Sequence, residues 1–282
     1  MRTSRLLVCL AAALFITACS QDPNPGTPEA AAAGERYMRS MSDTLARSKA
    51  FAFETSERLE FIATNGEKRA LGFTRKVTVR RPNVLFFELH GKDDTALEID
   101  AYYDGRTVTL SKKTDKVWAQ TNVPSTLDEM LDDVARRFGL PVPIADVVYS
   151  SPYDAFIGKD ARGGLAGRET IDGMPCVKLD YNDDFVEVRL WIPASGQPLP
   201  RRLEIVYKKA PSPLVSQIDF TSWKLDVPVA DSMFAFQQPE GHGQVEFRDF
   251  VAGLASGTIR SGQEAASPAA PVAKPVGKPR AR

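Results

Sequence analysis

The chain has 282 residues, 36 of them basic and 36 acidic, so its formal charge is zero. That balance gives no electrostatic footprint for nucleic acid. Neither of its two histidines, His90 and His242, has a second His, Cys or carboxylate at metal-ligand spacing, so no metal centre is expected.

Arg2 and Arg5 precede a run from Leu6 to Ala18 of 13 residues that are apolar or small, Thr17 apart. A bilayer-crossing helix needs about 20 apolar residues, so this run fits a secretory leader instead. It ends in Ile16-Thr17-Ala18-Cys19. The tetrad resembles the lipobox of bacterial lipoproteins, which implies that Cys19 is lipidated and becomes the first residue after cleavage. Each buried methylene contributes about 0.8 kcal/mol, and several acyl chains anchor where one holds only marginally. Ser20 stands where enterobacterial lipoproteins kept at the inner membrane carry Asp. By that resemblance the expected location is the periplasmic face of the outer membrane. The alternative is an ordinary leader in which Cys19 is incidental.

After processing, Cys176 is the one free thiol, in the apparent strand "GMPCVKLDY", and reads as a buried structural residue. There is no Gly-rich phosphate loop, no G-x-S-x-G and no H-E-x-x-H. No catalytic residue and no cofactor are expected, and the chain does not read as an enzyme.

The stretch "SQDPNPGTP" suits an extended tether. A helix is predicted from Glu29 to Ala50, with Tyr37, Met41, Thr44, Leu45 and Ser48 at helical spacing. The period then becomes two. Strands are predicted from Phe51 to Phe61, Leu71 to Arg80, Val84 to His90 and Leu97 to Tyr103, then Thr107 to Ser111 and Val117 to Asn122. Asn65-Gly66 and Asp104-Gly105 are hairpin signals, because both residue types tolerate positive φ.

Ser125 and Asp128 next form an S-x-x-D helix start. Leu127, Met130, Leu131, Val134 and Phe138 make one apolar face, with Asp128, Glu129, Asp132, Asp133, Arg136 and Arg137 opposite. One or two short helices are expected in "GLPVPIADVVYSSPYDAFIG". A second strand set runs from Gly163 to Ile171, Met174 to Tyr181, Phe185 to Ile192, Arg201 to Lys208 and Val215 to Leu225, with a last short segment at 231–236. A weak helix is expected at 245–256, carrying Phe247, Phe250, Val251 and Leu254. The Ala/Pro-rich basic tail from Gly257 is too poor in apolar residues to order itself.

The hairpin at 186–208 is two-faced: Val186, Val188, Leu190, Ile192, Leu203, Ile205 and Tyr207 point one way, and Glu187, Arg189, Trp191, Arg202 and Glu204 the other. A large twisted sheet must have its apolar face covered, and the helix at 126–138 is the best cover. A tight fit closes the domain. A loose fit leaves an apolar cleft of the kind that holds ligands.

The order helix, meander, helical insertion, meander is similar to the half-open barrel of the LolA/LolB lipoprotein carriers. "YYDGRTVTL" (102–110) and "VEVRLWIPASGQPLPRRLEIVYK" (186–208) resemble a family of predicted periplasmic proteins, the domain of unknown function 2092. These resemblances imply a mainly β (α+β) fold, a LolA-like half-open antiparallel barrel of about 11 strands with a helical plug. The division expected is 1–18 leader, 19–34 tether, 35–240 barrel domain, 241–256 weak helix and 257–282 disordered tail. The function implied is binding of lipid or acyl chains, or of a lipidated protein, in the cleft. Leu127, Met130, Leu131, Val134 and Phe138 would line it, with Trp118. The alternative is an envelope scaffold or sensor module that binds a protein partner. No stretch matches the carriers' signature residues, so none of their lipoprotein contacts carries over.

Overall fold

The computed structural model describes residues 22–62, 65–92, 97–139, 144–158, 160–209 and 214–256. The leader, Cys19 and the tail from Gly257 lie outside the described residues.

Helix α1 (Pro28–Arg47) opens on Thr27, whose hydroxyl accepts from Ala30 N, and on a proline in its first turn, where no backbone donor is lost. It therefore begins inside the expected tether, which is shorter than 19–34. It also stops short of Ala50, because the alternating run of β1 (Ala50–Ile62) already claims that residue. The buried stripe is Ala30, Ala33, Met38, Met41 and Leu45, with Tyr37 at its margin.

Strands β2 (Lys68–Arg80), β3 (Val84–Gly91), β4 (Glu98–Tyr103), β5 (Thr107–Lys112) and β6 (Val117–Asn122) continue the first meander. Helices α2 (Leu127–Phe138), α3 (Ala145–Val148) and α4 (Pro152–Phe156) follow. The second meander is β7 (Arg162–Ile171), β8 (Met174–Asn182), β9 (Val186–Pro193), β10 (Arg202–Tyr207) and β11 (Leu214–Leu225). A two-residue strand β12 (Gly243–Gln244) and helix α5 (Phe247–Ser256) end the described chain. Asp172-Gly173 makes the tightest turn, with φ of 48° and 78° between the paired Ile171 and Met174.

All strands form one 12-stranded sheet in the order β12-β6-β5-β4-β3-β2-β1-β11-β10-β9-β8-β7. Each meander pairs its strands in sequence. The two meanders join along β1 and β11, from Phe51↔Leu225 to Phe61↔Leu214, with a register shift at Glu54/Thr55. Every ladder is antiparallel except β12 on β6. The sheet is open, since β12 and β7 are edges that do not pair with each other. Segment 231–236, expected as a strand, holds a 3-10 turn at Asp231–Met233 instead.

One face of the sheet is covered by helices. Phe51 and Phe53 of β1, Val77 and Val79 of β2, Leu190 and Ile192 of β9, and Ile218 and Phe220 of β11 form a single core with residues of all five helices. Full burial of each such side chain stabilises by about 1.5–3 kcal/mol. Helix α1 and β7 meet backbone to backbone. A Cβ on Gly34 would stand 2.6 Å from Gly164 Cα, and one on Gly164 only 2.5 Å from the Ala30 carbonyl oxygen.

The other face is polar where the sequence puts it. On the hairpin of β9 and β10, Arg189 pairs with Glu187 and Glu204, and Arg202 pairs with Asp219 of β11. Trp191 lies on this outer face yet is 5% exposed, because it packs on Ile171 and Cys176. Its Nε1 donates to Glu169 Oε2 at 2.9 Å. Cys176 is fully buried there, and burial pushes its thiol pKa up.

Candidate functional site

Helix α2 is held at both ends by polar bonds and packs on the sheet by its apolar stripe. Its N-cap is Thr126, whose hydroxyl accepts from Glu129 N and bonds the Glu129 carboxylate at 3.0 Å. This cap lies one residue beyond the expected Ser125/Asp128 start. Asp128 is engaged elsewhere, accepting from Ser150 N at 2.8 Å and Ser150 Oγ at 2.5 Å. The helix ends at Gly139, whose φ of 63° suits a residue without a Cβ.

More bonds clasp the polar face of α2 to its surroundings. Leu127 N donates to Pro82 O, in the β2–β3 turn, at 3.0 Å. Tyr149 Oη donates to Asp132 Oδ1 at 2.7 Å, and Arg81 donates to Tyr149 O at 2.8 Å. Arg137 donates to Asn122 O and Thr121 Oγ1 on β6, both at 2.9 Å. Burial pushes the Asp132 pKa up, partly opposed by the Tyr149 bond. Burial first, and then the Asp132 carboxylate, hold the Tyr149 phenol far above its ordinary range.

Beneath the opposite face of α2 lies a cavity of about 60 Å³. Met130, Leu131 and Val134 line it from the helix, Val77, Leu85 and Phe87 from the sheet, and Val148 and Phe247 close it from α3 and α5. No polar atom faces the space. It is far smaller than the roughly 300–1,000 Å³ of small-molecule pockets. The helix is therefore seated closely on the sheet.

Three of the expected site residues, Met130, Leu131 and Val134, meet at this cavity. Leu127 is 1% exposed in the core beside it but does not line it. Phe138 packs on the ring of Phe247 at 4.6 Å between centroids, and so touches the wall from outside. Trp118 is not brought to the cavity. Its neighbours Val117 and Ala119 are the inward residues of β6, so Trp118 faces the outer side, 5.1 Å from the ring of Phe236. Sequence reasoning missed Leu85, Phe87 and Phe247 as wall residues. The alternation in β3 carried the signal for the first two, whereas nothing local placed Phe247.

On the outer face a groove of about 430 Å³ runs past Arg80, Asn83, Thr107, Gln120 and Phe236. Asp231 pairs with Arg80 at 2.7 Å, and Phe234 lies under the Arg80 guanidinium, so the segment after β11 straps across β2. Beside it, burial and then Asp100 push the Tyr102 phenol up to about 12. Among the described residues no group of three or more His, Cys, Asp or Glu is placed to hold a metal, and no helix is long and apolar enough to cross a membrane.

Residues 34–248 match the family model of the domain of unknown function 2092, described as a predicted periplasmic protein. Comparison with curated proteins finds no match. Among solved structures, the lipoprotein LppX of Mycobacterium tuberculosis is 14% identical, with a TM-score of 0.43 over 71% of this chain and 98% of its own. The MucA/MucB complex of Pseudomonas aeruginosa is 16% identical, with a TM-score of 0.39 over 72% of this chain and 61% of the other. A LolA superfamily protein of Nitrosomonas europaea is 14% identical, with a TM-score of 0.35 over 72% of this chain and 98% of its own. Likenesses this remote decide nothing about ligand or partner.

Proposed function

We propose that this chain, which belongs to the domain of unknown function 2092 family of predicted periplasmic proteins, binds an acyl chain between its sheet and α2. The acyl chain belongs to a lipid or a lipidated polypeptide, and no chemistry is done on it. The observation that carries this reading is the wholly apolar cavity beneath a helix whose fixed bonds are polar and peripheral. Exchange of the contacts of Met130, Leu131 and Val134 for acyl methylenes, each contributing about 0.8 kcal/mol, makes displacement of α2 affordable once a chain is present. Lipidation at Cys19, with the domain facing the periplasm from the outer membrane, completes the proposal. It supplies acyl ligands close by.

The test is binding of the uncharged apolar probe N-phenyl-1-naphthylamine to the purified protein, with native mass spectrometry of co-purified lipid. Saturable probe binding at one site, accompanied by bound lipid in the spectrum, supports the reading. A folded protein that binds no probe and carries no lipid rejects it.

One observation favours a second reading, in which a protein partner is held. The outer groove is several times larger than the cavity and presents Arg80, Asn83, Thr107 and Gln120, which suit a polar chain segment. Site-specific photo-crosslinking from Gln120 in cells, compared with a crosslinker at Met130, separates the two.

A further inference from the structure

The helix-covered face of the sheet carries a buried ion pair immediately beyond the cavity wall. Arg75 stands two residues from Val77 on β2, so both face the same side. Its guanidinium lies 5.3 Å from the ring centre of Phe87, a cavity residue, and 5.9 Å from that of Phe73. Glu57 of β1 accepts from Arg75 Nη2 at 3.2 Å and from Thr55 Oγ1 at 2.6 Å. The side chains of Arg75 and Glu57 are 7% and 1% exposed. The Arg75 Nε is buried and has no hydrogen-bond partner among the described residues. A buried donor left unfilled is unfavourable, and an acceptor that fills it is favoured for the same reason.

We infer that Arg75 Nε is the polar end of the acyl site and takes an uncharged carbonyl oxygen, so that the ligand is an ester- or amide-linked acyl group and not a free fatty acid. This rests on the acyl binding proposed above. The charge balance selects the class. Glu57 already neutralises Arg75, so a ligand carboxylate would add a second, uncompensated negative charge beside Glu57 in apolar surroundings. A plain hydrocarbon would leave Nε unfilled. An ester or amide oxygen fills it and adds no charge. The order along β2 sets the direction: Val77 lies at the cavity, Arg75 next, then Phe73 and finally Leu71, which is 45% exposed. The methyl end lies under α2, the carbonyl at Arg75 and the head group toward the end of the β1–β2 hairpin.

The experiment displaces the uncharged probe N-phenyl-1-naphthylamine from the full-length protein. The competitors are laurate, monolauroylglycerol and an N-lauroylated cysteinyl peptide, at slightly alkaline pH. Either uncharged acyl competitor, or both, is expected to act at about tenfold lower concentration than laurate. The better of the two tells a glycerolipid from a lipidated polypeptide. In Glu57→Leu/Arg75→Leu, which removes both charges and strands neither, the probe still binds and the preference shrinks to about threefold or less. Independently of any variant, laurate should gain potency as acid protonates it. Equal potency of acid and ester, a preference that survives in the double variant, or a laurate potency indifferent to pH overturns this assignment and leaves the acyl cleft standing. Failure of the parent to bind the probe at all overturns both.

Discussion

Gly34 shows how one missing methyl sets the seat of a whole helix. In a free helix Gly→Ala stabilises by about 1 kcal/mol. Here the methyl would press on Gly164 at 2.6 Å, and overpacking of a core costs about 1–3 kcal/mol. Gly34→Ala is expected to lower the unfolding free energy in urea, by up to about 2 kcal/mol. A gain would mean that α1 shifts freely. Asp132 gives a second prediction, with its sign set by burial. Its folded pKa is raised above the unfolded value, so the ionised form opposes folding at neutral pH and that penalty fades as pH falls through the raised value. Asp132→Asn keeps an acceptor for Tyr149 without the charge. It should melt higher than the parent at neutral pH, with the gap narrowing toward acid. A gap that widens toward acid would show the carboxylate to be favourable. The N-cap of α2 shows why single residues are hard to read from sequence. Ser125 and Thr126 are both good caps, and the choice depends on Asp128, whose partner Ser150 lies 22 residues away.

Element by element, periodicity was readable wherever it decides which face is buried. The stripe of α2, the strands of both meanders and the two-faced hairpin of β9 and β10 all appear close to where the pattern placed them. Trp118 shows the limit: expected to line the cleft, it is turned outward by its parity in β6. Strand β12 left no pattern, since two residues pairing through backbone carry no side-chain signature. The size of the cavity depends on how closely α2 seats, which no local sequence determines. Met130 and Phe138 test that seating. Met130 is 4% exposed and lines the cavity, so Met130→Ala should cost about 2–3 kcal/mol, at the low end of core truncations. It should also bind N-phenyl-1-naphthylamine more tightly, because the space grows. Phe138 is half-buried against Phe247, outside the cavity, so Phe138→Ala should cost about 1–2 kcal/mol and leave probe affinity nearly unchanged. Equal probe effects from both would place the acyl chain elsewhere.

Across the whole molecule, the seam of β1 and β11 unites residues near both ends of the described chain, and one core serves both meanders. Unfolding is therefore expected in one step. Tryptophans report on each half: Trp118 in the first meander, Trp191 and Trp223 in the second. Single-tryptophan variants keeping Trp118 or Trp191 should give coincident urea midpoints, matching far-UV circular dichroism. Separate midpoints would show that the halves melt apart. The open ends of the sheet have a consequence for neighbouring copies. An exposed edge is a template for a strand from another chain. For a protein held at a membrane, as proposed, copies meet side by side at high local density, where bare edges would zip one domain to the next. Two short features oppose this: β12 occupies β6 at Val117 and Trp118, and a bulge between Leu165 and Gly167 breaks the register of β7. Under that proposal those few residues, with α1 packed against β7, would help to keep one copy from pairing with the next.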